Sequence, residues 1–376
     1  MTNSEYDLPH EERTRRCRRA LADVDADCVV LSPGPNMTYL SGFTDEPMER
    51  HLLLFVPREG DPTFLAPTMY DEQIRAASWV DDRRLWDDGE DPQGHLEAIA
   101  DALDLRGGRV LVDDRMWALF TQDLRRTLPD ATFGLASEVT TELRIRKDGT
   151  ELAAMRRAGE IADAVSADVR ALGDEAIGMT EQELAREIES RLVAAGGEGP
   201  SFEVVVGSGP NGAMPHHRHG DREIGPGDPV VLDFGTRVAG YPSDQTRTVA
   251  FGDAEPPSEF EDVFEVVCEA QEAGIDAAEP GATAEAVDRA ARAVIDDAGF
   301  GDAFVHRTGH GVGLEVHEPP YVVAGNDREL EPGMVFSVEP GIYLEGRFGV
   351  RIEDLVVVTA SGCERLNRSP RHHRTG

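Results

Sequence analysis

One stretch of this chain occurs twice, and the duplication limits the folds open to it. Residues 221–235 read DREIGPGDPVVLDFG, and residues 327–341 read DRELEPGMVFSVEPG. At a constant offset of 106 residues they share Asp, Arg, Glu, Pro, Gly and a closing Gly. Each copy ends an apolar run on a carboxylate, Asp233 in the first and Glu339 in the second. A further acid follows each, Asp244 in GYPSDQTRT and Glu353 in GVRIEDLVV. Two half-domains with two acids apiece can bring four carboxylates to one pseudo-symmetric centre. Such groups repel one another unless cations lie among them. A single acid at the tip of a buried strand reads more simply as a surface turn. Two at equivalent places in a repeat, each with another acid close by, favour a site. The simpler reading of Asp244 and Glu353 is an exposed strand position or an ion pair with Arg247 or Arg351.

The elements around the repeat follow the same order in both copies. A helix over 151–172 precedes one over 180–196, which opens on the capping box Thr180-x-x-Glu183. Strands follow at 202–206, 229–235 and 245–251. The second copy has a helix over 258–278, opened by Ser258-x-x-Glu261, and another over 283–298. Its strands lie near 304–308, 334–339 and 350–358. This order predicts two αα-ββ halves packed as a curved antiparallel sheet, with helices outside and carboxylates on the inner face. Upstream, CVVLS (28–32), LLLFV (52–56) and RVLVD (109–113) read as buried strands. Residues 12–24, 93–104 and 116–128 read as amphipathic helices, so the alternation is that of an α/β layer domain. No convergent set of catalytic side chains shows there. The composition turns polar around 138–150, which separates a first domain at 1–140 from a second at 145–376. The closing RHHRTG reads as a frayed basic tail.

A chain of 376 residues is long for one core, which agrees with two domains. No apolar run approaches 18 residues, and the N-terminus is charged where a signal peptide would be apolar. The expectation is a cytoplasmic protein without a membrane span. Cys17, Cys28, Cys268 and Cys363 lie far apart and read as plain thiols of a reducing compartment. The formal net charge is −35, and Lys147 is the only lysine among 37 basic residues. So acidic a surface disfavours nucleic acid and anionic membranes as partners. It also self-repels at low salt, which points to a halophilic, salt-rich cytoplasm where screening relieves the repulsion. Codon bias towards arginine accounts for the missing lysines but not for the acidic excess.

Histidines complete the constellation. HRTGHGVGLEVHE (306–318) places His306, His310 and His317 in one glycine-rich segment, and glycines let backbone approach a site closely. MPHHRHG (214–220) adds His216, His217 and His219, of which at least one reads as a plain loop residue.

Together, DFG…GYxSDxTRT…HxxGHGxGLxxHExP…EPG…RIED resembles the metallopeptidase family with the pita-bread fold. That family holds methionine aminopeptidases, aminopeptidase P and prolidase, and this chain is most similar to the prolidase and aminopeptidase P branch. SPGPNMTYLSGF (32–43) resembles the start of that branch's extra α/β domain, so the likeness covers nearly the whole chain. It implies a creatinase/prolidase-type α/β N-terminal domain and an α+β pita-bread catalytic domain with an internal pseudo-twofold repeat.

Residue by residue, the resemblance implies Asp233, Asp244, His310, Glu339 and Glu353 as ligands of two divalent ions, with Asp244 and Glu353 bridging. An oxygen-rich set with one imidazole suits Mn²⁺ as first choice, and Co²⁺, Fe²⁺ or Zn²⁺ as well. Ions so bridged share a hydroxide that attacks the scissile carbonyl. The resemblance gives Glu339 the proton transfer, His216 a place near the leaving group and His317 a hydrogen bond to the carbonyl oxygen. His306 and Tyr241 fall at substrate-pocket positions. Arg351 orients Glu353 or a substrate carboxylate, or else forms a structural ion pair. The implied reaction is hydrolysis of Xaa-Pro bonds, as dipeptidase or aminopeptidase, by a homodimer acting on proline-containing peptides. The alternatives are a creatinase-like hydrolase, a metal-dependent lyase on the same fold, and a binding module without catalysis.

Overall fold

Short β-branched runs in the first third of the chain become strands because buried sheet positions favour such side chains. A computed structural model describes residues 6–375. It has two compact units, residues 7–144 and the chain from residue 145 on. In the first unit, helices α1 (His10–Asp23), α2 (Pro35–Ser41), α3 (Asp71–Ala77), α4 (Gln93–Ala102), α5 (Ala118–Thr127) and α6 (Ser137–Arg144) are interspersed with six strands. These are β1 (Cys28–Leu31), β2 (Leu53–Pro57), β3 (Thr63–Pro67), β4 (Asp82–Trp86), β5 (Arg109–Val112) and β6 (Thr132–Leu135), in the mixed order β4-β3-β2-β1-β5-β6. Val30, Phe55, Leu65 and Val110 pack with Leu96 and Ile99 of α4 and Phe120 and Leu124 of α5.

In the second unit the duplicated sequence becomes a duplicated structure. The first half has α7 (Gly149–Arg170), α8 (Glu181–Ala194), β7 (Val205–Ser208), β8 (Pro229–Phe234), the small hairpin β9 (Arg237–Val238) and β10 (Tyr241–Pro242), and β11 (Gln245–Ala250). The second has α9 (Phe260–Asp276), α10 (Ala284–Asp297), β12 (Gly309–Gly311), β13 (Glu318–Val322), β14 (Val335–Val338), the hairpin β15 (Gly341–Leu344) and β16 (Phe348–Arg351), β17 (Glu353–Thr359) and β18 (Gly362–Arg365). The main sheet runs β13-β12-β14-β17-β11-β8-β7, with β18 beside β17. The order is mirrored about the β17–β11 junction, where only two residue pairs meet, Gln245 with Asp354 and Thr246 with Glu353. The repeated DRE triplets have a structural cause. Glu223 bridges to Thr180 at the start of α8, and Glu329 bridges to Thr283 at the start of α10.

Period-two alternation decides which face each strand residue takes. Val230, Leu232 and Phe234 of β8 and Val249 of β11 pack on Ile161, Val165, Leu184 and Ile188 of α7 and α8. Phe336 and Val338 of β14 and Val356 and Val358 of β17 pack on Ile275 and Val287 of α9 and α10. Asp233, Thr246, Ser337 and Glu353 therefore fall on the opposite face. Lys147 is buried here and donates from Nζ to Glu318 Oε1 at 2.8 Å.

The predicted capping box at Thr180 is present in full, but Ser258 caps nothing: α9 starts at Phe260 without a side-chain cap. In the second half the capping residue is Thr283, which accepts from the Ala286 N–H at 3.2 Å. The strand predicted over 304–308 begins only at Gly309, and that over 202–206 begins at Val205. The run 350–358 is two strands, because the chain changes sheets at Ile352. Residues 371–375 of the RHHRTG segment are not frayed, and Gly376 lies outside the described residues. His373 is buried, its Nε2 lies 2.9 Å from Glu261, and its backbone carbonyl accepts from Ala250 N–H. Among the described residues no helix is long and apolar enough to cross a membrane.

Candidate metal centre

The register of the sheet lines up the acids. Thr246 of β11 pairs with Asp233 of β8 on one side and with Glu353 of β17 on the other. Val338 pairs with Asp354, so the next step of that register sets Glu339 beside Glu353. His310 arrives on β12, antiparallel to β14. Its approach depends on Gly309, where an added Cβ would lie 1.8 Å from the Ser337 carbonyl oxygen. Gly235 is equally constrained in the first half, 1.8 Å by the same measure from the Ser243 carbonyl.

Asp244, His310 and Glu353 each offer a ligand atom, all within 4.8 Å of one another, and all three side chains are buried. His310 Nε2 lies 3.2 Å from Glu339 Oε1 and 3.9 Å from Asp244 Oδ2. Its Nδ1 faces the Gly311 carbonyl at 3.2 Å, an acceptor only, so a proton on Nδ1 would leave Nε2 free to take a cation in place of its contact with Glu339.

Arg351 is the fixed cation of the site and donates from Nη2 to Asp233 Oδ2 at 2.6 Å. Its Nε donates to Thr246 Oγ1 at 3.0 Å, and Nη1 donates to the Tyr343 hydroxyl at 2.9 Å. The Thr246 hydroxyl donates in turn to Glu353 Oε2 at 2.6 Å. Ser337 accepts from the His310 N–H and donates to Glu339 Oε1, each at 3.0 Å. Thr246, Ser337 and Tyr343 were not singled out from the sequence. Thr246 and Ser337 were readable in principle, each being a strand hydroxyl two residues from a candidate ligand just beyond the strand's end.

Burial pushes the Asp244 and Glu353 carboxyls well above the usual range, and the neighbouring acids add to the rise. Burial also raises Asp233, although Arg351 opposes it. Burial acts the same way on Glu339 but is outweighed. The His310 hydrogen bond, with the charges of His310, His306 and Arg351, pulls it down to about 2. One guanidinium and one imidazole thus cannot balance four acids. Asp233 Oδ1 is buried with no hydrogen-bond partner. The unpartnered Asp233 Oδ1 and an imidazole Nε2 set among crowded carboxylates are the donor set of a cation site, and the residues fit divalent metal.

The remaining predicted residues are placed unequally. The His317 ring stands 4.0 Å from that of His310, at 66°, and its pKa is lowered to about 4 by burial and then by His310. His306 Nε2 lies 2.8 Å from the Tyr343 hydroxyl, and its Nδ1 lies 2.7 Å from the Arg307 carbonyl. His216 is exposed, next to Pro215, whose carbonyl accepts from Arg351 at 3.3 Å. His217 and His219 are structural: one bonds Glu181 at 2.7 Å, the other the Val204 carbonyl at 2.8 Å. Tyr241 stands apart. Its side chain is fully buried, and its hydroxyl donates to Glu151 Oε1 at 2.8 Å.

Residues 153–360 match the model of metallopeptidase family M24, and residues 13–146 match the creatinase/prolidase N-terminal domain. The chain belongs to metallopeptidase family M24. The family works with divalent metal ions, and this member is a metallopeptidase with the pita-bread fold. It is 43% identical over 357 residues to the probable dipeptidase PepE of Mycobacterium tuberculosis, covering 93% of this chain and 92% of the relative. The Xaa-Pro dipeptidase of Lactobacillus delbrueckii subsp. lactis is 38% identical over 348 residues, covering 89% and 91%. The crystal structure of prolidase from Thermococcus sibiricus superposes with a TM-score of 0.92 at 37% identity, over 98% of this chain and 99% of that one.

Proposed function

We propose that this family member hydrolyses Xaa-Pro dipeptides with two divalent ions, Mn²⁺ by preference, held by Asp233, Asp244, His310, Glu339 and Glu353. The observation that carries the reading is the clustering of Asp244 and Glu353 with His310, whose Nε2 also meets Glu339 at 3.2 Å, with Asp233 Oδ1 buried and unpartnered on the same face. When bound, the ions supply Lewis acidity, polarising a carbonyl oxygen and bringing the pKa of water towards neutrality. Glu339 Oε1 is engaged by Ser337 and faces His310, so Oε2 is the atom that takes a proton from the attacking water. The same atom returns it to the leaving nitrogen. An Xaa-Pro bond is a tertiary amide without an N–H, so that nitrogen depends on a delivered proton. His317, neutral at pH 7 with its pKa near 4, donates to the substrate carbonyl oxygen, and His216 and His306 line the leaving-group side. Arg351 holds Asp233 and, through Thr246, Glu353.

The choice of dipeptides over longer peptides is supported by the names of relatives, as is the proline preference. The homodimer, the cytoplasmic location and the salt-rich milieu belong to the same proposal, from family likeness and from the net charge of −35. The test is metal analysis of the purified protein, with turnover of Gly-Pro set against Gly-Pro-Ala and Gly-Ala. Two equivalents of metal and a clear preference for Gly-Pro are expected. Equal cleavage of Gly-Ala would overturn the proline reading, and preference for the tripeptide would reassign the chain as an aminopeptidase.

A further inference from the structure

Thr246 and Glu353 face the acids, so their neighbours Arg247 and Asp354 point into the helix side of the sheet. Arg247 is 2% exposed and uses all five of its N–H donors. Nη1 donates to the Thr246 carbonyl at 2.9 Å and to the Glu353 carbonyl at 2.6 Å. Nη2 donates to Asp354 Oδ1 at 2.6 Å and to the Ser369 carbonyl at 3.0 Å. Nε donates to the Pro370 carbonyl at 3.2 Å. One guanidinium therefore grips both strands of the junction between the two halves and two carbonyls of the C-terminal segment.

That segment is itself anchored at several points. Ser369 Oγ donates to Gln245 at 2.8 Å, and Arg371 donates to Gln271 at 2.8 Å and Glu272 at 2.7 Å. Arg170 donates to the carbonyls of His372 and Arg374 at 2.6 and 2.8 Å. The His373 ring lies edge-on to Phe260 and Phe264, with centroids 5.1 Å away in each case. The β11–β17 junction has only two residue pairs of its own, and one of them is Thr246 with Glu353. Its geometry is thus set largely by what holds it from behind.

We propose that Arg247 and residues 369–374 form a brace that fixes Thr246 and Glu353 from the back of the sheet, making the C-terminal segment a positioning element of the metal centre. The inference rests on the metal-binding reading above. Without the Ser369 and Pro370 carbonyls, two donors of a buried cation lose their partners, and the guanidinium is free to turn away from the Glu353 carbonyl. Loss of groups that orient metal ligands typically weakens metal affinity roughly 10–100-fold.

The experiment compares the full-length protein with Arg247→Lys, Arg247→Met and a chain ending at Arg368. The readouts are unfolding of the metal-free protein, Mn²⁺ and Co²⁺ affinity by calorimetry below that transition, the visible Co²⁺ absorption spectrum, and kcat and KM. Affinity about 10–100-fold weaker with an altered Co²⁺ spectrum is expected in samples that remain folded. Arg247→Lys, which keeps three donors, is expected to lose less than Arg247→Met. Folded variants that bind metal within threefold of the parent, with an unchanged spectrum, would overturn the brace and leave it a stability feature only. Should the shortened chain not fold, Arg371→Gln loosens the segment without touching Arg247. The same shift in smaller measure is expected from it, and no shift overturns the proposal. A parent protein that binds no metal removes the metal-binding reading and the brace with it, a result seen before any variant is made.

Discussion

Glu339 differs from the other three acids in what surrounds it. Its neighbours include His310, His306 and the Arg351 charge, which hold it ionised, while Asp244 and Glu353 are crowded by acids. A base that is ionised before substrate arrives suits proton transfer. Glu339→Gln is expected to lower kcat by about 10²–10⁴-fold, the usual worth of a general base, with most of the metal retained. Turnover of Gly-Pro at the parent rate would end that assignment. A second buried acid is structural. Glu181 accepts from the Ser208 N–H and hydroxyl, from Asn211, from the Gly220 N–H and from His217. Burial raises its pKa, but these donors together bring it below the ordinary 4.5. A carboxylate with a lowered native pKa stabilises the fold above its unfolded pKa and loses that contribution as pH falls through the native value. Glu181→Gln, which puts an amide N–H against some of these donors, should cost roughly 1–3 kcal/mol near neutrality. Denaturant melts of both proteins should show the gap closing as the pH is taken below 4.5.

At the scale of elements, the cap residues set where helices begin. Thr283 satisfies an N–H at the start of α10 and adjoins the bridge to Glu329, so Thr283→Ala should cost about 1 kcal/mol by denaturant unfolding. No loss would mean that the bridge alone fixes that end. The repeat made the two-halved sheet legible, and parity along β8 and β14 then placed Asp233 and Glu339 on one face. What escaped was long-range. The run at 350–358 reads as one strand, with charged residues in its first half and valines in its second, and nothing in its period marks the change of sheets at Ile352. The edge strand β4 reads Asp-Arg-Arg-Leu-Trp, too polar to stand out as a strand. Ser258-x-x-Glu261 has capping spelling, yet α9 begins beyond it. The C-terminal RHHRTG carries no hydrophobic pattern, and the order of residues 371–375 comes from Arg170, Glu261 and Glu272, distant in sequence. The five proposed ligand positions could be named from the sequence because a repeat and several motifs constrain them together. The hydroxyls and Arg351 contacts that orient them were not, because each depends on cross-strand register.

For the molecule as a whole, electrostatic self-repulsion is the dominant global term that composition imposes. A net charge of −35 is spread over a surface whose basic partners are nearly all arginines. At about 1 M salt the screening length falls to about 3 Å, so repulsion between surface acids is largely removed. The thermal midpoint is expected to rise steadily from low salt into molar KCl. A midpoint highest in salt-free buffer would contradict the halophilic reading. The sole lysine lies outside that surface economy. Lys147 has no exposed side-chain area and is paired with Glu318 at the base of the His310–His317 segment. A lysine-specific endoprotease therefore has a single bond to cut, and that bond is hidden. Each cleavage event counts one opening of the metal-bearing unit, which gives this protein a built-in clock for its own unfolding.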